Sequence, residues 1–213
     1  MAIIEHSVDQ ITDPLVRELA MRGEIRSFAK NSLIINQGEL GDSMYVIVSG
    51  RVEIFVSDAK GKEMVIDEYG CGEYFGEMAL DGAPRSASVR AKGRVVCSVL
   101  NAATLREAIR DPDVALNLIF VLIERARAAT SSVQSLALSD VYGRVRTLLL
   151  SLAQPGPGQV MIIPERITQQ WIADRVGAHR DMISRICSQL IKGGYVAVTN
   201  RRYSILKALP QRF

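Results

Sequence analysis

Apolar residues recur along this chain in three successive rhythms. Between Phe28 and Leu100 they come in short, β-rich runs separated by glycines: SLIIN, SMYVIV, RVEIFV, KEMVIDEY, EYFGE, RSASVRA and VVCSVL. In RVEIFV, Val52, Ile54 and Val56 alternate with other residues, as in a strand buried on one face. DAKG at 58–61 has the composition of a hairpin turn, and Gly41, Gly50, Gly70 and Gly72 fall where tight turns are expected. Many short antiparallel strands at this spacing predict a small barrel or sandwich. The segment before it, 1–29, predicts one or two short helices, with Asp13 capping PLVRELAMRG.

From Asp111 to Ser139 the rhythm becomes helical, with no Gly and no Pro after Pro112. Asp111 suits an N-cap, and Pro112 suits the first helical position, where a missing N–H costs nothing. Ala115, Ile119, Leu122, Ala126, Ala129, Val133 and Leu136 follow at alternating spacings of four and three, a heptad seam for a second helix. A further stripe, Val114, Leu118 and Val121, faces elsewhere, so the helix can pack on two partners at once. It would run roughly 40 Å at about 1.5 Å per residue. A single buried core helix would also account for this stretch alone, but the seam predicts dimerisation.

The third rhythm starts at Asp140, which can cap VYGRVRTLLLSLA, a helix ended by the breaker run QPGPGQ. MIIPE predicts a short strand. Thr168 then caps a helix whose Ile172, Ala173 and Val176 face inward, Gly177 permits a turn, and a second helix from about His179 buries Ile183, Ile186 and Leu190. A small residue, a glycine four later and an apolar residue six after that meet the packing needs of a helix-turn-helix. Arg180, Asp181 and Arg185 lie at the N-terminal half of the second helix, the part that enters a major groove. YVAVTNRRYSIL predicts two strands whose tip carries Arg201 and Arg202, a wing for backbone phosphates or simply a solvated charged turn.

Charge sharpens the division. Residues 1–139 hold 15 Lys/Arg against 19 Asp/Glu, a net of −4, and residues 140–213 hold 11 against 4, a net of +7. Only the smaller C-terminal part is thus suited to a polyanion. Three scattered cysteines, Cys71, Cys97 and Cys187, have neither metal-ligand spacing nor the even number of a disulfide framework. They are also too few for an iron–sulfur cluster, which needs about four clustered ligands. A metal-dependent barrel enzyme would need two or more His inside the barrel, whereas the two histidines, His6 and His179, fall outside it. No signal peptide or membrane span is evident, and a cytoplasmic, non-enzymatic protein is expected.

One connection differs from the rest: FGEMALDGAPRSAS, residues 75–88. Its small residues let backbone N–H groups approach an anion, and Arg85 can clamp two phosphate oxygens. Glu77 suits a ligand that also donates a hydroxyl, as a ribose does; a surface salt bridge between Glu77 and Arg85 is the plainer alternative. Together with GDSMYVIVSGRVEIF upstream and the helix and basic domain downstream, this stretch resembles the cyclic-nucleotide-binding β-roll of the Crp–Fnr family of bacterial transcription regulators. The resemblance runs from about residue 25 to 206.

What the resemblance implies is an α+β chain: an antiparallel, jelly-roll-like β-roll (1–110), a long dimerisation helix and hinge (111–139) and a winged helix-turn-helix (140–213). The implied ligand residues are Gly76, Glu77, Met78, Arg85, Ser86, Ala87 and Thr130. The implied DNA-binding residues are Thr168, Gln169, His179, Arg180, Asp181, Arg185, Arg201 and Arg202. Expected partners are a second copy, a palindromic operator with half-sites ~34 Å apart, and RNA polymerase. No obligatory cofactor is expected, and the effector would be a cyclic nucleotide, cyclic AMP first. Three departures stand out. Glu77 and Arg85 are eight residues apart, where many such cassettes have nine or more. The adjacent Thr and Ser that touch adenine in cyclic-AMP-responsive members align with Ala129 and Thr130. The R-E-x-x-x-R arrangement of the recognition helix has Asp181 for Glu, with His179 in place of a Ser or Thr cap. A cyclic dinucleotide, or no effector, on the same scaffold stays open.

Overall fold

The computed structural model describes residues 8–79, 81–158 and 160–211; His6 lies outside them. The chain divides into two compact units between Ala126 and Arg127, within one long helix.

In the first unit a short helix, α1 (Pro14–Met21), begins where Asp13 accepts hydrogen bonds from Leu15 N and Val16 N. Eight strands follow: β1 (Glu24–Phe28), β2 (Leu33–Ile35), β3 (Met44–Ser49), β4 (Val52–Ser57), β5 (Glu63–Tyr69), β6 (Tyr74–Phe75), β7 (Ser88–Ala91) and β8 (Val95–Leu100). They form two four-stranded antiparallel sheets, ordered β1-β8-β3-β6 and β2-β7-β4-β5. Ile47, Val52, Ile54, Phe75, Val89, Ala91 and Cys97 make the core between the sheets. Helix α2 (Ala102–Ala108), capped by Asn101, precedes the long helix α3 (Pro112–Leu138). Asp111 caps α3 through Asp113 N at 2.9 Å. Caps of this kind contribute about 1 kcal/mol each.

Two features depart from the sequence pattern. The segment Glu24–Phe28, expected among the N-terminal helices, is a strand paired along its length with β8. In β4 the buried set is Val52, Ile54 and Phe55, with Val56 only half-buried, and a register shift against β5 falls between Ile54 and Phe55. The extra residue lies in β5, between Val65 and Asp67; Phe55 faces away from Val52 and Ile54, and the Arg90 guanidinium covers its ring at 4.1 Å.

Helix α3 presents its stripes as the spacing predicts. Val114 and Leu118 are buried against Val16, Leu19, Met44 and Tyr74, with Val121 packed at the edge of the same cluster. On the seam, Ala115 is half-buried and Ile119, Leu122, Ala126, Ala129, Val133 and Leu136 are exposed in the single chain.

In the second unit, α4 (Val141–Leu152) is capped by Asp140 through Gly143 N at 2.6 Å. The breaker run that ends α4 contributes the two-residue strand β9 (Gln154–Pro155), paired with β10 (Met161–Ile162). Helices α5 (Gln169–Val176) and α6 (Arg180–Lys192) then precede β11 (Val196–Thr199) and β12 (Arg202–Ile205), and the sheet order is β11-β12-β10-β9. The core holds Val145, Leu149, Ile163, Ile172, Ala173, Ile183, Ile186 and Leu190. Among the described residues, no helix is long and apolar enough to cross a membrane.

Candidate functional site

The cassette between β6 and β7 is built around Arg85, which is only 8% exposed. Its Nη1 donates to Gly76 O at 2.7 Å and its Nη2 to Ser43 O at 2.8 Å. Its backbone N–H donates to Glu39 O, and its carbonyl accepts from Gly38 N, both at 2.9 Å. Two glycines make room for the guanidinium. A Cβ on Gly41 would lie 2.8 Å from Nη2, and one on Gly76, where φ is +88°, would lie 2.9 Å from Nη1 and 2.7 Å from Ser43 O. Arg85 is therefore a fixed cation, with N–H groups beyond these two for an anion.

Glu77 opens a 3-10 turn, Glu77–Ala79, and is 5% exposed. It does not pair with Arg85, so the plain surface salt bridge is not what forms. Its Oε1 accepts from Arg125 Nη1, on α3, at 2.6 Å, and its buried Oε2 has no partner. A buried, ionised oxygen without a donor costs energy, and a ligand hydroxyl would supply the missing proton. Arg125 also donates Nη2 to Tyr74 O at 2.5 Å and lies 4.4 Å from the Tyr69 ring centroid. Burial works against the Arg125 charge, but Glu77, Tyr69 and Tyr74 together outweigh it and raise the guanidinium's pKa. The buried Tyr74 hydroxyl is likewise unpartnered, and burial raises its pKa, opposed by the Arg125 charge.

Sequence reasoning missed Arg125, though a signal existed. It continues the barrel-facing stripe Val114, Leu118, Val121 at the same spacing, a cation where the next apolar residue belongs. The other expected ligand residues differ in exposure. Met78 is 60% exposed, the Ser86 hydroxyl reaches Met78 Sδ at 3.5 Å, Ala87 is half-buried, and Thr130 is exposed on α3.

In the second unit Thr168 caps α5 through Trp171 N at 3.0 Å, and Gln169 is half-buried beside it. Gly177 ends that helix at φ +65°, the left-handed turn that L-residues with side chains rarely adopt. His179 stands at the N-cap of α6 without a side-chain capping bond, so its imidazole is exposed with Arg180, Asp181 and Arg185. Met182, 45% exposed in the same first turn, is an apolar neighbour that the sequence reading passed over. The wing turns on Asn200 (φ 52°) and Arg201 (φ 62°), both left-handed, with Thr199 paired to Arg202. Ile167 N donates to Arg201 O at 3.0 Å, which pins the tip. An exposed helix start and a cationic hairpin are the two parts of a winged reading head.

Comparison with known proteins agrees with both units. Residues 25–111 match the cyclic nucleotide-binding domain and residues 143–209 the Crp-like helix-turn-helix domain. The chain is 33% identical over 187 residues to the cAMP-activated global transcriptional regulator CRP of Salmonella typhimurium, covering 84% of this chain and 88% of that one. It belongs to the Crp–Fnr family. This Crp–Fnr regulator is also 32% identical over 186 residues to the cAMP-activated global transcriptional regulator Vfr of Pseudomonas aeruginosa, covering 83% and 86%. Its fold superimposes on the c-di-GMP responsive global regulator CLP of Xanthomonas campestris with a TM-score of 0.80, at 22% identity, over 92% of this chain and all of that one. Its relatives are transcription regulators rather than enzymes, and the cassette and reading head mark it as a cyclic-nucleotide-binding, DNA-binding protein of that class.

Proposed function

We propose that this Crp–Fnr regulator acts as a homodimer whose grip on a palindromic operator is set by a cyclic nucleotide in the cassette. The observation that carries this reading is the Glu77–Arg125 pair. It makes a residue of the long helix part of the pocket wall, so a ligand that satisfies Glu77 acts directly on that helix. Gly76, Glu77, Met78, Arg85, Ser86 and Ala87 would hold the ribose and cyclic phosphate, with Thr130 toward the base. Cyclic AMP, named for the curated relatives, is the first candidate effector. The exposed seam of α3, Ile119 to Leu136, supports dimerisation, because a run of apolar side chains left in water is unfavourable.

In the reading head, Arg180 and Arg185 would take guanine O6 and N7, Asp181 a cytosine amino group, and Thr168, Gln169, His179, Arg201 and Arg202 the backbone. RNA polymerase follows as a partner from the family, and the cytoplasm as the setting. The test is operator affinity of the full chain with and without nucleotide. Nucleotide should raise it, and Arg85→Leu should abolish both the response and nucleotide binding. Equal affinity in the presence and absence of every nucleotide would favour an effector-free regulator instead.

A further inference from the structure

Strand β5 carries an acid on its inner face. In the antiparallel pairing of β4 with β5, Val52 stands opposite Tyr69 and Ile54 opposite Asp67. Residues directly opposite share a face of the sheet. Val52 and Ile54 belong to the core between the sheets, and Tyr69 packs against the same core. Asp67 therefore occupies a position where the pattern calls for an apolar residue. It is an exposed residue on the wall that also holds the Tyr69 ring beneath Arg125. Burial raises the Asp67 carboxyl above its ordinary range, and the Arg125 charge opposes the rise. Arg125 nevertheless spends its two terminal nitrogens on Glu77 and Tyr74 O, and Asp67 forms none of the ion pairs among the described residues. Arg125 thus has two carboxylates about it, Glu77 in direct contact and Asp67 within reach of its charge. The buried oxygen of Glu77 lacks a donor, and Asp67 takes the Glu68 amide at 2.8 Å with acceptor capacity to spare.

Local patterns are broken in this way mostly where function requires it. A free carboxylate beside a nucleotide pocket discriminates purines by the hydrogens they carry. Guanine offers a ring N–H and an amino group side by side on one edge, and a carboxylate accepts both at once. Adenine places a ring-nitrogen lone pair beside its amino group, and that lone pair faces a carboxylate unfavourably. Charge-assisted, paired hydrogen bonds are the strong ones. We infer that Asp67 is the base-selecting residue of the pocket and that it favours a guanine-bearing cyclic nucleotide over an adenine-bearing one. This rests on the nucleotide-gated reading above and replaces its first candidate, cyclic AMP, with a guanine nucleotide. It also fits Ala129, where a hydroxyl toward adenine is missing.

The experiment is calorimetric titration of the full-length protein with cyclic GMP, cyclic IMP, cyclic AMP and cyclic di-GMP. Hypoxanthine keeps the ring N–H but lacks the amino group, so the expected order is guanosine, then inosine, then adenosine, with about tenfold between the first and last. Cyclic di-GMP binding more tightly than cyclic GMP would assign the guanine to a dinucleotide. Asp67→Ala should erase the order by weakening cyclic GMP while leaving cyclic AMP unchanged or improved. Asp67→Asn, which keeps one acceptor, should fall between. Cyclic AMP binding as tightly as cyclic GMP to the wild type, or Asp67→Ala weakening all ligands alike, would overturn the assignment and leave nucleotide gating standing. A folded wild type that binds none of the four would remove both.

Discussion

Arg125 Nη1 reaches Glu77 Oε1 at 2.6 Å, so the long helix and the cassette share one buried ion pair. The side chains are 20% and 4% exposed, which leaves Glu77 little water to fall back on. Removing one partner of a buried pair costs about 3–5 kcal/mol, whereas removing both costs far less. Arg125→Met should therefore lower the stability of the β-roll by about 3 kcal/mol in urea unfolding followed by circular dichroism. Adding Glu77→Gln should restore most of it. Equal loss in the single and double variants would show that the guanidinium matters for packing on Tyr69 and Tyr74 rather than for charge.

The seam of α3 gives a second expectation. Three of its seven positions are alanine, so paired helices would approach closely there. Ala126→Glu adds bulk and brings like charges together, and sedimentation should find monomers. A dimer of undiminished stability would place the interface elsewhere.

The reading head can be dissected by the kind of contact each residue makes. Arg180→Ala or Arg185→Ala should cost about 1–3 kcal/mol on the operator and relax preference at one base pair. For the wing, Arg201→Gly is the cleaner change, because Arg201 sits at φ +62° and glycine takes that conformation without strain. It should weaken operator and random DNA alike and flatten the salt dependence. If fluorescence anisotropy showed both classes acting the same way on both DNAs, α6 would not be the reading helix.

On the proposed reading, Ala129 bears on activation rather than on binding. A hydrogen bond from a restored hydroxyl contributes about 1 kcal/mol net, a several-fold shift. With cyclic AMP saturating, Ala129→Thr should raise operator affinity more than it raises nucleotide affinity. A wild type already activated a hundredfold by cyclic AMP, and unaltered by Ala129→Thr, would contradict this.

Much of this molecule is legible in the chain because its large elements obey one period each. The two stripes of α3, the caps at Asp13, Asp140 and Thr168, and the turn at Gly177 all follow from local spacing and local chemistry. What escaped the sequence depends on pairing. Glu24–Phe28 is a strand because β8 offers it an edge, which no residue within EIRSF announces. Asp67 belongs to the inner face only once Ile54 is known to stand opposite it. Arg125 draws no notice in the chain because a cation is ordinarily found on the outside of a helix. Glu77 and Arg85 were found as a pair, yet neither holds the other.

The packing of Arg85 has a consequence for how such a pocket can change over generations. Its guanidinium fits only because residues 41 and 76 lack a Cβ, and Gly76 also stands at φ +88° against the Ser43 carbonyl. A single substitution at any of the three collides with the others or vacates a filled space, so no one-step path leads to a different phosphate grip. Asp67 and Ala129 are exposed in the single chain and can be exchanged one at a time with little damage to the fold. On the proposed reading, descent can therefore retune the message such a regulator listens for while the grip on its phosphate stays frozen.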